Sequence, residues 1–260
     1  MTRPALPPLA AALAAGLLLA APPLARPAEA QATPTEMKPE ERALLRAEVR
    51  RYLLEHPEVI MEAVQVLERR RAEAEAEAGR AAVARHMDEL ANDGYSVVAG
   101  NPDGDVTIVE FTDYNCGFCR RAHPETRALL ESDPNLRLVI KEFPILGPES
   151  RVASEAAMAA VAQGRELYLA FNDAMMRHGA KLDARAVWRI ADEVGLDVDR
   201  LKADAKDPEI AARIARTQAL AQALGIDGTP SFVIGDQVEK GYRPLEVLRE
   251  RVAEVRAKDG

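Results

Sequence analysis

The stretch Val106-Thr107-Ile108-Val109-Glu110-Phe111-Thr112-Asp113-Tyr114-Asn115-Cys116-Gly117-Phe118-Cys119 carries both the strand and the chemistry on which the fold turns. Its first part, Val106 to Phe111, has the length and β-branched content of a buried strand. Its last part holds the chain's two cysteines in CxxC spacing, where a helix is expected to begin. A thiol at that point lies among the unpaired N–H groups of the first helical turn, where negative charge is favoured. A stabilised thiolate is both the nucleophile and the good leaving group of disulfide exchange.

Other chemistries for the pair fit less well. Structural zinc commonly takes four ligands, and no second pair is present. Covalent haem attachment needs His directly after the second cysteine, and Arg120 stands there. A purely structural disulfide across two residues closes a tiny loop and adds little stability. Redox exchange through a Cys116–Cys119 disulfide is the expectation, with Cu(I) capture by two soft thiolates as the minority chemistry and no other metal site.

Outward from this stretch the order is strand, redox helix, strand, helical block, hairpin, helix. Leu136 to Phe143 gives a second apolar strand after the Asp133-Pro134-Asn135 turn. Ser150 to Leu224 is expected to be helical, punctuated by Gly164, Gly179 and Gly195, with caps at Asp183 and at Asp207-Pro208-Glu209. Ser231 to Ile234 and Gln237 to Lys240 flank a Gly235-Asp236 hairpin turn, and Pro244 opens a last helix with Leu245, Leu248, Val252 and Val255 on one face. This is an α/β core in residues 93–260, interrupted by an all-helical insertion at about 149–224.

Residues 1–30 differ in kind. Arg3, the Ala/Leu run Leu9 to Ala21, and Ala28-Glu29-Ala30 read as the three parts of a bacterial secretory leader expected to be cleaved near Ala30, the alternative of an uncleaved membrane anchor being disfavoured by a run short for a span. The expected location is therefore the periplasm, where thiols meet an oxidising environment. The net charge of -8 argues against nucleic-acid binding. Residues 31–92 are expected to be a linker followed by an N-terminal helical extension. Leu44, Leu45, Val49, Tyr52 and Leu53 form one apolar face, and Ile60, Val64 and Leu67 another. Arg69 to Ala78 is polar all round, as in helices that bridge between bodies in solvent. So small an amphipathic pair must pack on the main domain or on copies of itself.

Beyond the CxxC, Pro124 lies five residues after Cys119 and Gly228-Thr229-Pro230 precedes a strand. The separation of 114 positions between Cys116 and Pro230 leaves room for the insertion. In these features residues 95–260 resemble the thioredoxin-fold disulfide oxidoreductases, in particular the DsbA-like branch. The resemblance implies a thioredoxin-like fold with an inserted helical subdomain and the activity of a protein disulfide oxidoreductase or isomerase. No cofactor is implied. The partners implied are cysteine-containing exported proteins and a membrane redox partner that reoxidises or reduces the enzyme.

By the same resemblance Cys116 is the nucleophile and Cys119 the resolving thiol. Pro124 matches the proline that kinks the active-site helix. Thr229 and Pro230 match the cis-proline loop, whose exposed backbone pairs with extended substrate; the residues alone also allow a plain turn before an edge strand and do not tell cis from trans. Glu110 looks like the acid beneath the active site. A carboxylate on an interior strand is desolvated and shifted towards the working range of a base, whereas an exposed strand residue would have no role.

Gly117-Phe118 supplies no side-chain charge or hydrogen bond to the thiolate, in contrast to the Pro-His of DsbA, and a milder oxidant follows. His123 is expected to face solvent. His56, His86 and His178 form no metal set, and Met175-Met176 is expected to fill core gaps. Tyr52-Leu53-Leu54-Glu55-His56-Pro57-Glu58-Val59-Ile60 with Glu62-Ala63-Val64 resembles the segment that precedes the catalytic domain in ScsC-type proteins, which implies a homo-oligomer through residues 40–90. Gly117-Phe118 and Thr229 also match the oligomeric DsbC-type isomerases. Copper sequestration through the reduced CxxC is the alternative function, and a non-catalytic assembly protein a third.

Overall fold

The computed structural model describes residues 37–259, so the leader assigned to residues 1–30 lies outside the described residues. The chain divides into two compact units, with the boundary between residues 61 and 62. In the first unit, α1 (Pro39–Glu55) starts with Pro at its first position, and the Lys38 N–H donates to the Glu41 carboxylate at 3.0 Å. α2 (Glu58–Arg85) begins after His56-Pro57 and continues unbroken through the polar Arg69–Ala78 stretch. Leu44, Leu45, Val49, Tyr52, Leu54, Ile60 and Met61 are all exposed.

In the second unit the last turns of α2 and α3 (Met87–Ala91) bury Val83 and Leu90. Five strands follow: β1 (Val97–Gly100), β2 (Val106–Thr112), β3 (Leu136–Glu142), β4 (Ser231–Ile234) and β5 (Gln237–Lys240). They form one sheet in the order β1-β3-β2-β4-β5, which puts β2 at its centre. β2 and β3 are parallel because α4 (Gly117–Ser132) carries the chain back between them, and every other pair is antiparallel. β1 was not foreseen as a strand. Its four residues include Ala99 and Gly100, and only pairing with β3 makes it one.

The alternation of β2 sorts its residues between two cores. Val109 and Phe111 meet Val83, Leu90, Val139, Phe143, Leu220 and Val233 on one face. Ile108 meets Cys119, Ala122, Leu138, Ile140, Phe232 and Leu248 on the other. Between β3 and β4 lie α5 (Pro148–Ala160), a 3₁₀ turn (Val161–Gln163), α6 (Arg165–Arg177), α7 (Ala184–Glu193), α8 (Val198–Asp204) and α9 (Pro208–Ala223). Asp183, Asp197 and Asp207 cap α7, α8 and α9 by accepting N–H bonds from Ala186, Arg200 and Glu209.

The β4–β5 turn carries Gly235 at φ +60, where a Cβ would come within 2.6 Å of Val255 in the closing helix α10 (Leu245–Asp259). Buried Lys141 ties β3 to the segment before the sheet, donating to the Glu89 carbonyl at 2.7 Å and the Asp93 carboxylate at 2.5 Å. No helix among the described residues is long and apolar enough to cross a membrane.

Candidate active site

The cysteines sit where β2 hands over to α4, and Asp113 shapes that turn. Its carbonyl accepts the Cys116 N–H at 3.0 Å, and its Oδ1 accepts the Asn115 N–H at 2.8 Å. Its Oδ2 accepts the N–H groups of Ile145 at 2.9 Å and Leu146 at 3.1 Å, fixing the loop after β3 beside the turn. Arg120 donates to the Tyr114 carbonyl at 2.9 Å, and Asn115 exchanges hydrogen bonds with the Leu182 backbone at 2.7 and 3.1 Å. The turn is thus held by the sheet on one side and the helical insertion on the other. Phe118, Ile145 and Leu146 remain exposed.

Cys116 is the N-cap of α4, with extended backbone (φ -79, ψ 118), and both cysteines are free thiols. A hydrogen bond from the Cys119 thiol is the main influence holding the Cys116 pKa down, at about 5. Burial opposes it, while the Thr229 hydroxyl and the N–H groups of Cys119 and Phe118 assist. As a thiol, Cys116 donates to the Thr229 carbonyl at 3.1 Å. Ionisation removes that bond and leaves the sulfur facing the Thr229 hydroxyl, which is buried and otherwise unpartnered.

Cys119 is fully buried, and burial pushes its thiol far up. Its hydrogen bond to Cys116 and the negative charge there act in the same sense, offset in part by the Asp113 N–H and the Thr112 hydroxyl. Pro124 lies inside α4, and the Thr229–Pro230 peptide is cis.

Glu110 is 6% exposed, between Ile140 of β3 and Phe232 of β4 in the sheet register. Burial, then the charge of Glu142, raises its pKa to about 7. It lines a cavity of about 210 Å³ beside α4, together with Thr112, His123, Thr126 and Asn172. Among the described residues no hydrogen bond joins Glu110 to Cys119. Thr112, whose hydroxyl helps offset the charge cost at Cys119, lines the same cavity.

His123 does not face solvent as expected. Its side chain is 12% exposed and its Nε2 lies 2.9 Å from Asp173 Oδ1. The face of α4 one turn beyond Cys119 packs on α6, a neighbour that local sequence cannot supply. Met175 and Met176 are buried in the core, and no group of three or more metal-binding side chains occurs among the described residues.

Sequence reasoning missed Asp113, Arg120 and a polar cluster around Glu142. Glu142 Oε1 accepts the phenol O–H of Tyr114 at 2.7 Å and of Tyr168 at 2.9 Å, and Asn172 donates to the Tyr114 oxygen at 3.0 Å. One signal was available: Lys141-Glu142 places two charges inside an apolar strand.

A thioredoxin-like sheet with CxxC at the mouth of its first connecting helix, and a helical block between β3 and β4, defines a thiol-disulfide oxidoreductase fold. Residues 107–253 match the DSBA-like thioredoxin domain, and the chain belongs to that family. Residues 41–74 match the copper resistance protein ScsC N-terminal domain. A thioredoxin-like oxidoreductase from Silicibacter pomeroyi is 48% identical, with 65% of this chain and 97% of that one covered and a TM-score of 0.63. A linker-deletion mutant of Proteus mirabilis ScsC is 28% identical over 87% of this chain and all of that one, with a TM-score of 0.67. The Na(+)/H(+) antiporter NhaA 3 of Salinispora tropica is 31% identical over 157 residues, 60% of this chain. The match spans only 24% of the antiporter's length.

Proposed function

We propose that this protein is a periplasmic oxidoreductase that forms or rearranges disulfides in cysteine-containing exported proteins. The observation that carries this reading is the placement of its two sulfurs: Cys116 caps α4 beside the Thr229 backbone, where its pKa is pulled down, and Cys119 is buried one turn in, where its thiol is pushed up. In the oxidising direction a client thiolate attacks Cys116 Sγ of the disulfide. The Cys116–Cys119 bond breaks, its electron pair leaves on Cys119, and Cys119 takes up a proton.

A second client thiolate then attacks the client sulfur of the mixed disulfide and expels Cys116 as a thiolate. Two electrons have passed from client to protein, and a membrane redox partner removes them. In the isomerising direction reduced Cys116 attacks a wrong client disulfide, and either a client thiol or Cys119 releases it.

Glu110 is the acid and base for Cys119 by way of the cavity it shares with Thr112, with a pKa suited to proton transfer near neutrality. The Thr229 backbone and Pro230 flank Cys116 and form the client strand's binding edge. Gly117-Phe118, Thr229 and the exposed apolar face of residues 40–90 favour isomerisation by a homo-oligomer. The test is reactivation of scrambled ribonuclease beside light scattering on the mature protein. A monomer without reactivation leaves a simple oxidase, and loss of neither activity in Cys116→Ser refutes the catalytic reading.

The match of residues 41–74 to a copper resistance domain supports a second reading, in which the two reduced sulfurs hold Cu(I). Tight Cu(I) binding that disappears in Cys116→Ser would establish it.

A further inference from the structure

The proposed cycle uses one buried acid and leaves another idle. Glu142 closes β3 on the same sheet face as Glu110. In the parallel ladder Thr112 pairs with Glu142 and Glu110 with Ile140, so the two carboxyls are diagonal neighbours. Both are buried. Their surroundings differ: Glu142 Oε1 accepts two phenol O–H bonds, whereas Glu110 faces the cavity and accepts neither. Glu142 Oε2 is buried without a partner.

Two buried carboxyls side by side on one sheet face repel when both are ionised, so their protons leave in steps that belong to the pair. Burial raises Glu142 to about 7, and the hydrogen bonds from Tyr114 and Tyr168 pull it back, so the first charge settles there. Glu110 of β2 and Asp113 of the turn after it add negative charge nearby, and Tyr95 approaches from the segment before β1. From α4 the cavity receives His123, Arg127 and Glu131, with His123 already bonded to Asp173.

We infer that Glu142 is a positioning residue for disulfide exchange: its phenol-held carboxylate keeps the pair's proton on Glu110, available to the sulfur that leaves as the Cys116–Cys119 bond breaks. This rests on the role proposed for Glu110. In the oxidising step that proton passes from the Glu110 carboxyl to the departing Cys119 thiolate, leaving a carboxylate. When Cys119 later resolves a mixed disulfide at Cys116, the Glu110 carboxylate takes the proton back.

The experiment is stopped-flow resolution of a mixed disulfide between Cys116 and a cysteine peptide across pH, in the full chain. The rate rises with pH as Glu110 ionises. Glu142→Gln keeps an acceptor for both phenols and removes the charge, so the rise should move to lower pH by about one unit. The infrared carboxylic-acid band assigned by its loss in Glu110→Gln should disappear at correspondingly lower pH. Tyr168→Phe, which keeps ring and volume, should shift both in the same direction by less. If Glu110→Gln removes the rise but Glu142→Gln leaves rise and band in place, the inference is overturned while the role of Glu110 stands. If Glu110→Gln leaves the rise intact, the role of Glu110 fails and the inference fails with it.

Discussion

At position 116 a single ionisation links reactivity to stability. The thiol pKa falls from 9.0 to about 5 on folding, so between those values the folded state binds fewer protons than the unfolded chain. The contribution is complete above the unfolded value and vanishes as pH drops through about 5. Reduced protein should therefore melt above reduced Cys116→Ser at neutral pH, and the gap should close on acidification. A gap that is independent of pH would deny the thiolate. The same value bears on redox potential, because a less stabilised thiolate makes a weaker oxidant. DsbA reaches a thiol pKa of about 3.5 and a potential of about -120 mV, so glutathione titration should place this disulfide at a more reducing potential than that. A potential at the DsbA value would refute the role given to Gly117-Phe118. The placement of Cys116, Cys119 and Glu110 was legible because strand, turn and helix mouth are local in sequence. Glu142 and His123 were not, since their meaning comes from Tyr168 and Asp173, residues remote in the chain.

Among elements, the turn between β2 and α4 depends on a buried carboxylate that accepts bonds from the Asn115, Ile145 and Leu146 N–H groups. Asp113→Asn keeps one acceptor oxygen and sets an NH₂ against a backbone donor. The expected cost is about 2 kcal/mol, read as a lower urea midpoint with unchanged slope. The loop carrying exposed Ile145 and Leu146 should also loosen, raising KM for client peptides more than it lowers kcat. Unchanged stability would mean that the loop is held by other contacts. The β4–β5 hairpin and the caps of α7 and α9 were legible because Gly235, Asp183 and Asp207-Pro208 act within a few residues of themselves. β1 was not, since Val97–Gly100 is extended only because β3 lies beside it. The insertion was legible as helices but not as packing, which is why the neighbours of α4 had to come from the structure.

For the whole molecule the question is what the apolar residues of α1 and early α2 do in water. Leu44 is 73% exposed and Leu54 70%, and Leu45, Val49 and Leu53 with Ile60 line an apolar groove. An exposed face of this kind marks an interaction surface. In the second unit Val83 and Leu90 belong to the core under the sheet, so removing residues 31–92 would damage that core as well as the surface. Charged substitutions in the first unit separate the two effects. Leu45→Glu with Val49→Glu leaves every buried residue of the catalytic unit in place. If self-association runs through this face, light scattering should show an oligomer that becomes a monomer in the double variant. Reactivation of scrambled ribonuclease should fall several-fold, because isomerisation needs client chains held while Cys116 attacks repeatedly. Oxidation of a short dithiol peptide needs only one CxxC and should stay within about twofold of the unsubstituted protein, a difference worth under half a kcal/mol in barrier height. Equal loss of both activities would mean that the substitutions reach the active site. A variant that remains oligomeric would place the interface elsewhere on the molecule.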